Sequence, residues 1–460
     1  MLSKQLITYL TLLLCTACQH IEEPPEFILT EPSSLEKILT KGTLDISTFY
    51  NTTDYYVYQG ITRGFHYELA KDFADYLGVN LRITEVNNDI DSAITRLQRG
   101  NYDLLAVSMT QTPERLDQLS FADPFFQTDE VLVQNTNNTQ IKNLSELDGK
   151  EIFVQKNGPY KEVLQQLQDS LNIHIYVTEV GNYSGEDLLH LVENGEINYT
   201  IIDKNVAKAS GSTLKNVDYS IKLKKNISVS WATEPQAVLL TQEINKWLET
   251  IRKSGKLAYL YKRYFATHQI APHHKSKYAM IRKGGISPFD PLFKKESKRL
   301  GWDWRILAAI AYVESGFNPD IESEVGAYGL MQIIPETANT YNVSDYFLPD
   351  SNIYAGAQYL KYLDNYFTEQ AVDSTEKIKF ILASYNAGPG HILDAMRLAQ
   401  KNGKDPHKWD DNVDFFLLNK NKPEYYKDPV VKNGYANGTQ TYKYVQQVLD
   451  TYRNYKNTNR

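Results

Sequence analysis

Apolar residues follow two different periods along this chain. From Leu35 onward, runs that alternate in the manner of a strand give way to residues three and four apart, and back again. Leu44, Ile46 and Thr48 alternate; Phe65, Leu69, Phe73 and Leu77 share one helix face that stops at Gly78; Val79, Leu81 and Ile83 alternate once more. Ile90, Ile94 and Leu97 make the next helix face before Gly100, and Leu104 to Val107 is a continuous apolar run suited to a buried strand. Such strand-helix alternation predicts an open α/β sheet that takes its ligands in the crevice beyond the strand ends. Further along, Ile306, Leu307, Ile310, Ala311 and Val313 keep helical spacing in a segment that breaks at Gly316.

One residue violates the second pattern. Glu314 stands four residues after Ile310 and seven after Leu307, on the apolar face of its helix. Burial there favours the protonated carboxyl, and so does the negative end of the helix dipole in the last turn. A general acid needs both effects. A buried Glu at a helix end also fits a structural ion pair, so the residues that follow have to decide. After Gly316 a polar loop leads to Gly326, Ala327, Tyr328, Gly329, Leu330, Met331 and Gln332, where small residues let the backbone approach a ligand closely. Ala383 to Pro389 places more small residues around Tyr385 and Asn386, and Tyr442 to Val445 adds a third aromatic element.

These elements, in this order, resemble the lytic transglycosylase domain of the soluble-transglycosylase type, which has a mainly α, lysozyme-like fold. Glu314-Ser315 is similar to its catalytic Glu-Ser motif, and Gly329-Leu330-Met331-Gln332 to its Gly-Leu-Met-Gln motif. Tyr385-Asn386-Ala387-Gly388 is similar to its Ala-Tyr-Asn-Ala-Gly motif with Ser384 for the first Ala; Tyr444-Val445 matches the end of Glu-Thr-Arg-x-Tyr-Val. In that last motif Gln440 and Tyr442 replace the Glu and the Arg. The resemblance implies that Glu314 is catalytic, that Ser323 lies close to it and that Tyr385 hydrogen-bonds it. It also implies that Met331, Gln332, Asn386 and Tyr444 line a groove for glycan strands.

The α/β stretch has its own resemblance. Gly64-Phe65 before Glu68-Leu69-Ala70, then Thr110 and Arg115, then Phe121-Ala122-Asp123-Pro124-Phe125, are similar to the family 3 extracellular solute-binding proteins. Thr112 is a good N-cap and Pro113 suits the first helical position, so Arg115 falls in a first turn, where a cation opposes the dipole unless it holds an anion. The resemblance implies two lobes, with crossings near Asp129 to Gln134 and Ile227 to Trp231. In such proteins the positions of Thr110 and Arg115 hold a ligand α-carboxylate, and that of Asp203 its ammonium. Lys156-Asn157-Gly158-Pro159-Tyr160 departs from the usual second-lobe pattern, and Pro159 has no amide to donate. The expected ligand is therefore a free amino acid or a peptide from cell-wall turnover.

Composition narrows the partners. The 460 residues suffice for two or three domains, and a net charge of −7 argues against nucleic acid. The 33 tyrosines suit sugar and peptide faces as well as cores. Lys4 precedes the run Leu6 to Leu14, too short to span a bilayer and typical of a signal-peptide core. Cys15-Thr16-Ala17-Cys18 then resembles a lipoprotein cleavage box, with Cys15 in the place of the usual Leu. That resemblance implies lipidation of Cys18, and Gln19 in place of Asp implies the periplasmic face of the outer membrane. His273 and His274 lack further ligands at metal-site spacing, so no metal or cofactor is expected.

The expected organisation is a signal peptide (1–17), a tether (18–35), a two-lobed solute-binding domain (36–267), a linker (268–287) and a lysozyme-like domain (288–460). This order resembles the membrane-bound lytic murein transglycosylase F type, whose activity would be non-hydrolytic cleavage of peptidoglycan to 1,6-anhydromuramyl ends. Two other readings stay open. A lysozyme-like hydrolase would need a second carboxylate, for which Asp320, Glu322 and Glu324 are the nearest in sequence. A non-enzymatic receptor would use the first domain alone.

Overall fold

The protein is seen here as a computed structural model, which describes residues 32–86, 89–138, 140–181, 183–211, 214–266, 284–370 and 372–458. Cys18, the signal segment and most of the expected linker lie outside these residues.

The first lobe begins with α1 (Ser34–Lys41), β1 (Thr43–Thr48), the hairpin β2 (Tyr56–Tyr58) and β3 (Ile61–Arg63), α2 (Phe65–Leu77) and β4 (Asn80–Val86). It continues through α3 (Ile90–Gln98), β5 (Leu104–Thr110), α4 (Pro113–Gln118) and β6 (Ser120–Phe121). Strand β7 (Phe126–Asn135) leads into the second lobe, made of β8 (Glu151–Gln155), α5 (Tyr160–Leu171), β9 (Tyr176–Val180), α6 (Gly185–Asn194), β10 (Tyr199–Asp203), α7 (Lys204–Gly211) and β11 (Val217–Asp218). Strand β12 (Lys222–Thr233) returns, and α8 (Val238–Lys253) and α9 (Lys256–Tyr261) close the domain.

Apart from the separate β2-β3 pair, the strands form one sheet in the order β4-β1-β5-β12-β7-β10-β8-β9, with β11 on β7 and β6 on β12. β1 runs parallel to β4 and β5, as the apolar alternation predicts, whereas β12 and β7 are antiparallel to each other. β12 pairs with first-lobe β5 through Val229 and Ser230, and β7 pairs with second-lobe β10 from Tyr199 to Asp203. These two long strands are therefore the crossings. Register shifts interrupt their pairing between Lys222 and Ile227, which weakens the ladder where the lobes meet.

The last domain is helical: α10 (Asp290–Leu300), α11 (Trp304–Ser315), α12 (Pro335–Thr340), α13 (Pro349–Glu369), α14 (Lys377–Ala387), α15 (Pro389–Lys401), α16 (Asp414–Asn419), α17 (Pro423–Tyr426) and α18 (Gly438–Lys456). Helix α11 is capped by Asp303, whose side chain accepts from the Arg305 N–H, and it ends at Gly316 in the left-handed conformation. Its residues Leu307, Ala308, Ile310 and Ala311 are fully buried.

One boundary lies differently from the sequence reading. Ile286, expected in the linker, is fully buried in the helical core, and the Ser287 hydroxyl donates to Asp290 at 2.9 Å. The two domains also share a core, because Tyr50, Tyr55, Tyr56 and Val57 around the β2-β3 hairpin pack in one cluster with the helical domain. Apolar spacing could not reveal this, since a short aromatic hairpin has the same pattern wherever it docks.

Candidate active site

Glu314 sits in the last turn of α11 and is half-buried. The protein around it excludes enough water to push its pKa up to about 7, against a single opposing effect, the hydrogen bond from Tyr444. That bond runs from the Tyr444 hydroxyl on α18 to Glu314 Oε1 at 2.7 Å. No cation is ion-paired with Glu314 among the described residues, so the structural ion-pair reading has nothing to support it.

The loop that follows is tied back to the helix that carries this carboxylate. The Ser315 hydroxyl donates to the carbonyls of Ala311, at 2.8 Å, and Leu330, at 2.9 Å, so the residue after the acid ties the Gly-Leu-Met-Gln segment to the helix. From the other side Asn352, buried on α13, accepts from the Met331 N–H and donates to the Tyr328 and Tyr346 carbonyls, each at 2.8 Å. Gly329 has φ +77°, and a Cβ there would lie 2.7 Å from the Asn352 amide nitrogen. Glycine is thus required both by the backbone and by the clamp.

The remaining expected residues fall around this centre with altered tasks. Tyr385 on α14 donates to the Met331 carbonyl at 2.8 Å and not to Glu314; Tyr444 makes that bond instead. The expectation gave this bond to Tyr385 because both tyrosines stand in aromatic motifs and spacing does not give the direction of a hydroxyl. The Met331 side chain, expected in the groove, is fully buried beside Gly356, and its backbone is engaged by Asn352 and Tyr385. Gln332, at φ 48°, donates to the carbonyls of Ile321 and Gly329, and the Ser323 hydroxyl accepts from Ala327 N–H at 3.0 Å within its own turn. Exposed Asn386 accepts from the Thr441 hydroxyl at 3.0 Å. Asp320, Glu322 and Glu324 are all exposed on the loop.

Sequence reasoning missed Asn352 and a pair of rings. Tyr359 and Tyr362 on α13 stack with centroids 6.3 Å apart, and Tyr359 lies 5.5 Å from the Tyr385 ring. Their spacing of three on a helix was the available signal. Ser384, which replaces the usual Ala, is fully buried with its hydroxyl unpartnered among the described residues. Ser384→Ala is therefore expected to stabilise the protein by about 1 kcal/mol; chemical denaturation showing a loss of stability would contradict this.

Tyr444 gives a second prediction. Its donated hydrogen bond favours ionised Glu314, so Tyr444→Phe must raise the Glu314 pKa further. A general acid works while protonated, so activity is held at pH below about 7 and lost above it. In Tyr444→Phe the alkaline limb of the pH-rate profile should move to higher pH, and an unmoved limb would separate Tyr444 from the acid.

The residues expected to hold a solute also come together. Arg115, half-buried in the first turn of α4, donates to the carbonyls of Thr110, at 3.2 Å, and second-lobe Asn157, at 3.4 Å; Thr112 caps that turn. Burial pulls Arg115 below its ordinary pKa, and Asp203, buried nearby and hydrogen-bonded by Tyr160 at 3.5 Å, is pushed up to about 6. Asp54, missed in the sequence, is buried too and is likewise raised to about 6. The Ser108 hydroxyl donates to it at 3.1 Å, His66 Nε2 contacts Ser108 at 2.9 Å, and the Trp231 indole donates to His66 Nδ1 at 2.8 Å. A direct latch between lobes runs from the Thr52 hydroxyl to Glu186 at 2.7 Å.

Comparison with known proteins accords with both halves. The Transglycosylase SLT domain family matches residues 291–408, and the bacterial extracellular solute-binding proteins, family 3, match residues 46–267. The membrane-bound lytic murein transglycosylase F of Desulfosudis oleivorans is 31% identical over 426 residues, covering 91% of each chain. That of Alcanivorax borkumensis is 31% identical over 423 residues, 92% of this chain and 89% of its own. Among solved structures, an ancestral amino acid-binding protein, a precursor of cyclohexadienyl dehydratase, aligns with 22% identity and a TM-score of 0.44 over 51% of this chain and 100% of its own.

Proposed function

The chain belongs to the membrane-bound lytic murein transglycosylase F family, and from that premise we propose that Glu314 cleaves the β-1,4 bond between N-acetylmuramic acid and N-acetylglucosamine without water, leaving 1,6-anhydromuramyl ends. The observation that carries the reading is one carboxyl held near pKa 7, with its loop carboxylates exposed to solvent. Protonated Glu314 gives its proton to the glycosidic oxygen as the C–O bond breaks. The resulting carboxylate takes the proton of the muramyl C6 hydroxyl as that oxygen bonds to the anomeric carbon, which restores the acid. An internal hydroxyl has the effective concentration of a tethered nucleophile and needs no second carboxylate. Digesting sacculi and weighing the fragments tests this. Anhydromuramyl ends, lighter by one water, are expected, and reducing muramyl ends as the main product would make the enzyme a hydrolase of the lysozyme kind.

The first domain, in the same reading, senses an amino acid or a muropeptide and biases cleavage. Thr110, Arg115 and Asp203 supply a carboxylate fork and an ammonium acceptor across one cleft. The lobe latch at Thr52 adjoins the hairpin that docks on α18, where the Tyr55 hydroxyl donates to the Asn454 carbonyl at 2.8 Å. Coupling requires the ligand to prefer one lobe arrangement. Calorimetry with amino acids and wall peptides on the wild type and Arg115→Ala tests it; bound ligand that leaves cleavage unchanged defeats the sensor.

Anchoring through a lipidated Cys18 at the periplasmic face of the outer membrane completes the proposal, in keeping with relatives named membrane-bound. Among the described residues no helix is long and apolar enough to cross a membrane. Cys18→Ser should move the protein to the soluble fraction, and unchanged fractionation would refute the anchor.

A further inference from the structure

A row of tyrosine rings leads outward from the candidate acid. It begins at Tyr385, whose hydroxyl donates to the Met331 carbonyl at 2.8 Å; burial first, and then the charge of Glu314, raises its pKa. The Tyr359 ring on α13 stands 5.5 Å from that of Tyr385, and the Tyr362 ring follows 6.3 Å farther on. Tyr359 and Tyr362 are three residues apart, so they lie on one side of the helix. Asn352, about two turns earlier on the same helix, holds the Met331 N–H. The row and the loop beside Glu314 are therefore carried by one rigid element.

The rings differ in how far they are covered. Tyr385 and Tyr359 are half-buried, whereas Tyr362 is 48% exposed. The planes of Tyr359 and Tyr362 lie within 11° of each other, so their faces are nearly parallel. Tyr341, at the end of α12, is a neighbour of both: burial first, and then Tyr341 and Tyr362, hold the Tyr359 hydroxyl up at about 12. A core tyrosine buries its ring and finds a partner for its hydroxyl, and Tyr362 keeps its ring open to water instead. A flat apolar face with a polar tip matches a pyranose ring, which offers C–H groups on its face and hydroxyls at its edge.

We propose that Tyr359 and Tyr362 form a stacking platform for sugar residues beyond the pair that Glu314 separates, so that the enzyme prefers long glycan strands to short ones. The platform is continuous with the acid through Tyr385, and its occupant is the same strand whose bond is broken. The inference rests on the reading of Glu314 as the glycan-cleaving acid, and it holds whether the product end is anhydro or reducing. Stacking away from the reacting bond stabilises the bound ground state and the transition state alike, so it is read in KM.

Steady-state cleavage by the full-length protein tests the platform, on strands freed of stem peptides and fractionated by length, with concentration counted per disaccharide. In the wild type KM should fall about tenfold from a tetrasaccharide to long strands. Tyr362→Ala should abolish that fall, and Tyr362→Phe, which keeps the ring, should restore it; melting curves check that both variants are folded. General damage to the fold would raise KM or lower kcat at every length and leave the fall in place. A wild type without length dependence, or a Tyr362→Ala enzyme that keeps it, overturns the platform. The mass of the fragments from the same digests reads the anhydro product separately, so reducing ends would overturn that reading and leave this one standing. A wild type that cleaves no strand of any length would end both.

Discussion

Glu314→Gln should lower the rate of glycan cleavage by about 100- to 10,000-fold, the range a single positioned acid-base group supplies. The amide has the shape of the acid and can still accept from the Tyr444 hydroxyl, so the loop held by Ser315 and Asn352 keeps its place. What disappears is the proton that would leave with the glycosidic oxygen. The loss should fall on kcat with KM little changed, because Glu314 acts in the transition state and the groove is otherwise intact. Thermal stability should hold, since no cation loses a partner when the charge is removed. Changing Asp320, Glu322 or Glu324 to the corresponding amide should leave the rate near that of the wild type, because all three are exposed to water on the loop. A Glu314→Gln enzyme with more than a tenth of the original rate would remove Glu314 from the reaction. A comparable loss in any of the loop variants would restore the two-carboxylate mechanism.

How much of this was legible in the sequence depends on how local each feature is. Periodicity gave α2 and α11 close to their observed ends, because each buries one face against a neighbour and stops at a glycine that the chain itself carries. The Thr112-Pro113 start of α4, with Arg115 in the first turn, was readable for the same reason. Glu314 was readable because a carboxylate on an apolar face is a contradiction within a single helix. Features that need two distant segments were not readable. Tyr444 and Glu314 are 130 residues apart, and no spacing says which tyrosine reaches the acid. Asn352 looks like an ordinary helix asparagine until three backbone groups of a distant loop are seen on its amide. Asp54 is held by Ser108, which is 54 residues away, and Glu186 by Thr52 of the other lobe, which is 134 residues away.

The shared core between the domains leads to the other large effect, which is expected at a glycine. Gly60, at the turn of the β2-β3 hairpin, has φ +76°, where L side chains are strained. Its N–H donates to the Ile286 carbonyl at 3.1 Å, and its carbonyl accepts from the Tyr455 hydroxyl at 3.0 Å. A Cβ there would lie 2.4 Å from a Tyr312 ring carbon, 2.6 Å from Phe317 and 2.8 Å from the Tyr455 hydroxyl. None of these neighbours can retreat easily, since Tyr312 and Phe317 flank the end of α11 and Tyr455 is fully buried on α18. Gly60→Val therefore combines left-handed strain with overpacking and should destabilise the docked state by roughly 2 to 6 kcal/mol. The wedge lies between the domains, so the sheet of the first domain keeps its own interior while the helical domain loses part of its core. Calorimetric melting should change from one cooperative transition to two, with the helical domain melting first because it loses the hairpin's Tyr50, Tyr55, Tyr56 and Val57 from its core. Ligand uptake through Arg115 and basal cleavage through Glu314 should both survive, while any effect of the first on the second is lost. A Gly60→Val protein that melts as the wild type does would mean that the hairpin is not the tie between the domains, and the route from the Thr52 latch to α18 would have to be sought elsewhere.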